Sequence, residues 1–191
     1  ELAKPGEAEA YYKAVWCRDR LQPSAAFGLA RIYLYRGNRK EAVTILDEVP
    51  NVSRHYDAAR IAAVRILSGR LAASPGNGLP TAADFRAAVS RLSALNLDEG
   101  EERGASRERL TAAVREVALA WVRETGGNKQ LNGDNVFGHH VEDILGTPIR
   151  ERELRELLEK SFRALAQQAS NPTDHHVLID LANAVRRSTP W

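Results

Sequence analysis

Residues Ser24–Val49 read SAAFGLARIYLYRGNRKEAVTILDEV, and their apolar side chains fall into two helical stripes. Ala26, Leu29, Ala30 and Tyr33 share one face of a first helix. Gly37-Asn38 then breaks that helix, because these residues tolerate the backbone conformations of a tight turn. Ala42, Leu46 and Val49 make one face of a second helix. Alanines at the contact let two helices approach closely, and the larger residues fill the groove between them. The stretch therefore predicts a packed pair of helices joined by a short turn.

The pair repeats. Moving back 34 residues from Ala42, Leu46 and Val49 gives Ala8, Tyr12 and Val15. Moving forward 34 from Ala26, Leu29, Ala30 and Tyr33 gives Arg60, Ala63, Val64 and Leu67, of which the last three fit. A period of this length, with small and large residues alternating on paired helices, is the tetratricopeptide pattern. The second helix of the next pair comes late, as Ala88, Leu92 and Leu95, after an insertion holding Ser74-Pro75-Gly76-Asn77-Gly78. Thr81 and Asp84 have the spacing of a capping box that restarts the helix. A third pair opens with Leu110, Ala113, Val114 and Val117, runs to Trp121 and stops at Gly126-Gly127. Its partner is expected over about 150–169, and a last helix opens at Asn171-Pro172 and carries Leu178, Leu181, Ala182 and Val185.

The expected fold is all-α, a tetratricopeptide-repeat-like right-handed helical solenoid of about eight helices with two loop insertions and a capping helix. It is expected to be one domain over 1–191. Its parts would be a half repeat at 7–19, a pair at 24–49, a pair at 54–95 with insertion 70–80, a pair at 107–169 with insertion 127–148, and a capping helix at 172–187. The half repeat implies a partner helix upstream. With Glu1 first and no methionine anywhere, the chain reads as a piece of a longer protein.

Composition fits this reading. Of 191 residues 43% are hydrophobic and 27% charged, ordinary values for a globular domain. Formal charge is only +2, so no strong attraction to nucleic acid or to a membrane surface is implied. Cys17 is the single cysteine, which fits a reducing, cytoplasmic setting. No apolar run approaches the ~18 residues of a membrane span.

Catalytic signatures are absent. The sequence lacks the glycine-rich kinase loop, H-R-D, D-F-G, the Walker lysine loop and G-x-S-x-G. Gly126-Gly127-Asn128-Lys129 has no Ser or Thr after the lysine and reads as a helix stop. His139-His140 and His175-His176 are adjacent pairs, so each supplies at most one metal ligand, and no metal site is expected. The acids and bases of 151/155, 156/160 and 159/163 are i, i+4 pairs of a solvated helix face. Tyr11, Tyr12, Trp16, Tyr33 and Trp121 stand at core spacings.

The register of the repeat points to a binding face. In this architecture the ninth position of each first helix faces the concave groove. It holds Arg31, Arg65 and Arg115, and Asn183 in the closing helix. The fifth position adds Phe27, Ile61, Thr111 and Ile179. Arginines at that spacing suit carboxylates or phosphates by bidentate bonding. The competing expectation is that they pair with acids of neighbouring helices.

Several stretches resemble the C-terminal tetratricopeptide domain of the actinobacterial protein kinase G family. They are Ser24–Arg31, Leu46–Pro50, Ser53-Arg54-His55, Leu67–Arg70, Ile144–Pro148 and Ala182–Arg187. The resemblance implies a parent serine/threonine kinase with a rubredoxin-like segment, whose ATP and magnesium sites lie upstream, so this chain would need no cofactor. It implies a non-catalytic role in docking to the kinase domain or to a forkhead-associated-domain substrate, and possible homodimerisation. The alternative is a free-standing peptide-binding adaptor.

Overall fold

The computed structural model describes residues 5–71, 78–95, 97, 105–125 and 150–186. Among these residues all regular structure is helical: α1 (Pro5–Arg18), α2 (Pro23–Tyr35), α3 (Arg39–Asp47), α4 (Tyr56–Ser68), α5 (Ala82–Ser93), α6 (Ser106–Thr125), α7 (Glu151–Gln168) and α8 (Pro172–Val185). The protein is an all-α helical repeat fold. It divides into two compact units, residues 1–95 and 96–191.

In the first unit each helix packs on its chain neighbour, α1 on α2, α2 on α3, α3 on α4 and α4 on α5. Pro23 opens α2, where a missing N–H costs nothing. Ala26, Leu29 and Ala30 are buried, with Tyr33 half-buried beside them. Gly37, at φ 78°, makes the turn into α3. Ala42, Leu46 and Val49 are buried beyond it, as are Ala63, Val64 and Leu67 of α4. Each buried leucine contributes about 1.5–3 kcal/mol relative to exposure. The Tyr12 ring lies so close to Gly28 that a Cβ there would sit 2.7 Å from it, which is how α1 reaches α2. Trp16 is the buried residue of α1, its indole N–H donating to Glu48 Oε2 at 3.0 Å. Tyr11, expected at a core spacing, is instead 67% exposed.

Two polar devices hold this unit together, and neither was expected. Asp47, at the end of α3, accepts from Arg60 of α4 and from Arg91 of α5. Arg39, at the start of α3, donates to the carbonyls of Ile66, Leu67 and Gly69 at the end of α4, and to Gly78 at 3.0 Å. It thereby satisfies carbonyls that the last turn of a helix leaves without partners. Leu71 N–H also donates to Gly78 O, at 2.9 Å, so the ends of the insertion meet. Residues 72–77 within it lie outside the described residues. Thr81 and Asp84 then cap α5 reciprocally, as their spacing predicts, and Phe85, Ala88 and Leu92 are buried behind them.

In the second unit α6 packs on α7 and α7 on α8. Leu154, Leu158, Phe162 and Leu165 form the buried stripe of α7. This helix also carries the i, i+4 pairs Glu151–Arg155 at 2.8 Å and Glu159–Arg163 at 2.9 Å, expected on a solvated face; Arg155, however, is largely covered and donates to Val185 O of α8 at 3.1 Å. Glu156, expected to pair with Lys160, is bridged instead by Arg152 at 3.2 Å. In α6, Leu110, Val114 and Trp121 are buried as expected, but Ala113 is exposed and Ala112 is buried in its place. Asn171 caps α8 by accepting from the Asp174 N–H at 2.8 Å. Only Ala182 of α8 is fully buried, and Leu181, expected on its packed face, is 39% exposed. The insertion 127–148, with His139-His140, lies outside the described residues, as does Trp191.

Candidate functional site

The register positions behave differently in the two units. In α2, Phe27 is half-buried and Arg31, one turn later, is exposed. In α4, Ile61 is half-buried and Arg65 is exposed. Both helices thus show an apolar base followed by an open guanidinium on the same helical face. Most other arginines of this unit are engaged: Arg20 with Glu48, Arg36 with Glu9, Arg39 with carbonyls and Asp84, Arg60 and Arg91 with Asp47. Arg31 and Arg65 have no ion pair or side-chain hydrogen bond among the described residues. They are the cations of this face still available to an outside carboxylate.

In the second unit the same positions are used internally. Thr111 is 7% exposed. Arg115 is half-buried, donates to Ser161 Oγ at 2.8 Å and lies 3.8 Å from Glu108. Burial lowers the pKa of its guanidinium, and the Glu108 carboxylate acts in the opposite direction. Its acid Glu108 stands on its own helix and its partner on α7 is a hydroxyl, so Arg115 joins α6 to α7 without pairing to an acid of a neighbouring helix. In α8, Ile179 is half-buried, and the exposed Asn183 accepts from Arg163 of α7 at 3.3 Å.

A cleft of about 570 Å³ opens between the N-terminal ends of α2 and α4. Its walls include Leu21, Pro23 and Phe27 on one side and Arg54 and His55 on the other. Phe27 is shared between this cleft and the register face. The repeat pattern did not mark the other lining residues, because they stand in turns and first turns rather than on the periodic stripe.

Among the described residues no group of three or more His, Cys, Asp and Glu side chains could hold a metal ion. His175 Nδ1 faces the Ala166 carbonyl at 2.9 Å. Cys17 is exposed. Among the described residues no helix is long and apolar enough to cross a membrane.

Compared with known proteins, residues 1–189 match the family model described as protein kinase G tetratricopeptide repeat. The chain is 37% identical over 187 residues to the serine/threonine-protein kinase PknG of Mycolicibacterium smegmatis, covering 97% of this chain and 22% of that protein. It is 34% identical over 187 residues, with the same coverage, to the serine/threonine-protein kinase PknG of Mycobacterium leprae. The chain therefore spans about a fifth of the length of these relatives.

Proposed function

Because the chain belongs to the protein kinase G tetratricopeptide repeat family, we propose that it is the non-catalytic docking domain of a serine/threonine kinase. Its first unit presents Phe27, Arg31, Ile61 and Arg65 to an acidic surface of a protein partner. The observation that carries this reading is the contrast between exposed, unpaired Arg31 and Arg65 and the engaged arginines around them. That the relatives are kinases favours attachment to a kinase over a free-standing adaptor. ATP and magnesium would act in the kinase portion, and the partner would be that kinase domain or a forkhead-associated-domain substrate. The setting would be cytoplasmic.

The test is calorimetric titration of the 191-residue chain with a polypeptide carrying the kinase portion of the Mycolicibacterium smegmatis relative, and with a forkhead-associated-domain protein. Reversing both charges, Arg31→Glu with Arg65→Glu, should weaken binding by about tenfold or more, since each lost ion pair becomes a like-charge contact. Unchanged affinity would remove this face from the docking surface.

Self-association is a second reading, favoured by Val177 and Leu181, which stand one turn apart on α8 and are 53% and 39% exposed. A second copy of the chain would cover these two side chains and remove their apolar area from water. Sedimentation equilibrium should show a dimer that Leu181→Glu dissociates. A monomer at all concentrations would end this reading.

A further inference from the structure

The cleft between the N-terminal ends of α2 and α4 has a divided chemistry. Leu21 is 57% exposed, and with Pro23 and half-buried Phe27 it makes an apolar wall open to water. Opposite stand Arg54, which is exposed, and His55. Arg54 Nε donates to His55 Nε2 at 3.1 Å, which uses one of the five guanidinium donors. Asp57, the acid in the first turn of α4, does not line the cleft. The cleft is open to water on one side, and its volume of about 570 Å³ leaves room for a large side chain. From Phe27 the same face of α2 leads one turn on to the unpaired Arg31, so a segment seated in the cleft continues past a free cation.

We propose that this cleft anchors one aromatic or branched apolar side chain of an extended acidic segment of a partner protein. The segment's carboxylates lie against Arg54 and Arg31. The apolar wall supplies specificity for the anchor, because an aromatic side chain removes a large area from water when it enters. The cations select an acidic neighbourhood and repel a basic one. This rests on the docking role of the α2 and α4 face proposed above and adds to it the identity of what docks.

The experiment is a fluorescence-polarisation titration of the full 191-residue chain. The probe is a labelled, acetylated peptide of Asp and Glu with one central Phe, compared with the same peptide carrying Ala at that place. Ser24→Trp, which fills the cleft from an exposed position, and Leu21→Ser are the cleft variants, each checked for an unchanged thermal melt. Arg31→Glu with Arg65→Glu reports separately on the charged face. The Phe peptide should bind about tenfold more tightly than the Ala peptide, and both cleft variants should erase that difference while sparing the Ala peptide. If both peptides bind equally and only the charge reversal weakens them, the docking face stands and the anchor cleft is overturned. If neither peptide binds, both the cleft and an acidic partner for this face are overturned.

Discussion

The Arg39 guanidinium, its side chain 11% exposed, holds the end of α4 to the start of α3 through the carbonyls of Leu67, Gly69 and Gly78 at 3.1, 2.8 and 3.0 Å. Burial lowers its pKa, with Asp84 acting the other way, yet arginine stays charged at any ordinary pH. A lysine there could offer a point charge but not a planar fork, so Arg39→Lys should cost about 1–3 kcal/mol in denaturant unfolding. Gly78 is the opposite partner of this clamp. Its φ of +60° suits glycine, and a Cβ would stand 1.9 Å from the Leu71 carbonyl oxygen. Gly78→Ala should therefore cost about 2 kcal/mol or more, since main chain cannot yield as a side-chain tip can. Neither residue was legible in the sequence, because the partners of Arg39 are main-chain carbonyls that no residue pattern displays. The register equally could not separate Arg31 and Arg65 from Arg115. Position marks a face, but only packing decides that Ser161 and Glu108 take up Arg115.

The elements α2 to α5 were legible because each carries one narrow buried stripe, in which alanines such as Ala26, Ala42, Ala63 and Ala88 are 0% exposed. Caps helped where side chains make them, at Thr81 and at Asn171. In α6 the periodicity misleads. Leu110, Ala112, Val114, Ala118, Leu119, Trp121 and Val122 are all buried, a band too broad for one stripe, so the repeat spacing points to Ala113 where Ala112 is the buried residue. The attachment of α1 to α2 depends partly on charge, and it gives a pH prediction. Hydrogen bonds from Lys13 and then from Arg36, at 2.6 and 2.5 Å, lower the pKa of Glu9 below its ordinary value. A carboxylate whose pKa falls on folding adds stability above its unfolded value, and that stability is lost as pH drops through the folded one. Thermal melts of the chain should therefore lose part of the α1 contribution on acidification through the carboxylate range. Glu9→Gln should lower stability near neutrality and leave less to lose in acid; an unchanged profile would remove Glu9 from the attachment.

For the molecule as a whole, charge is nearly balanced at +2, with acids and bases interleaved along most helices. Such a chain projects little long-range field, so steering by net charge contributes little to partner capture. Any strong salt dependence of docking must then come from a few local cations. Exposed ion pairs contribute about 0.2–1 kcal/mol each and are screened over about 10 Å at 0.1 M salt and about 3 Å at 1 M. If Arg31, Arg65 and Arg54 meet partner carboxylates, raising salt from low to high should weaken binding by roughly tenfold. The Arg31→Glu, Arg65→Glu chain should lose most of that slope, whereas Ser24→Trp should lower affinity and keep it. A slope that survives the charge reversal would assign the ionic contribution to cations elsewhere and leave this face with apolar contacts alone.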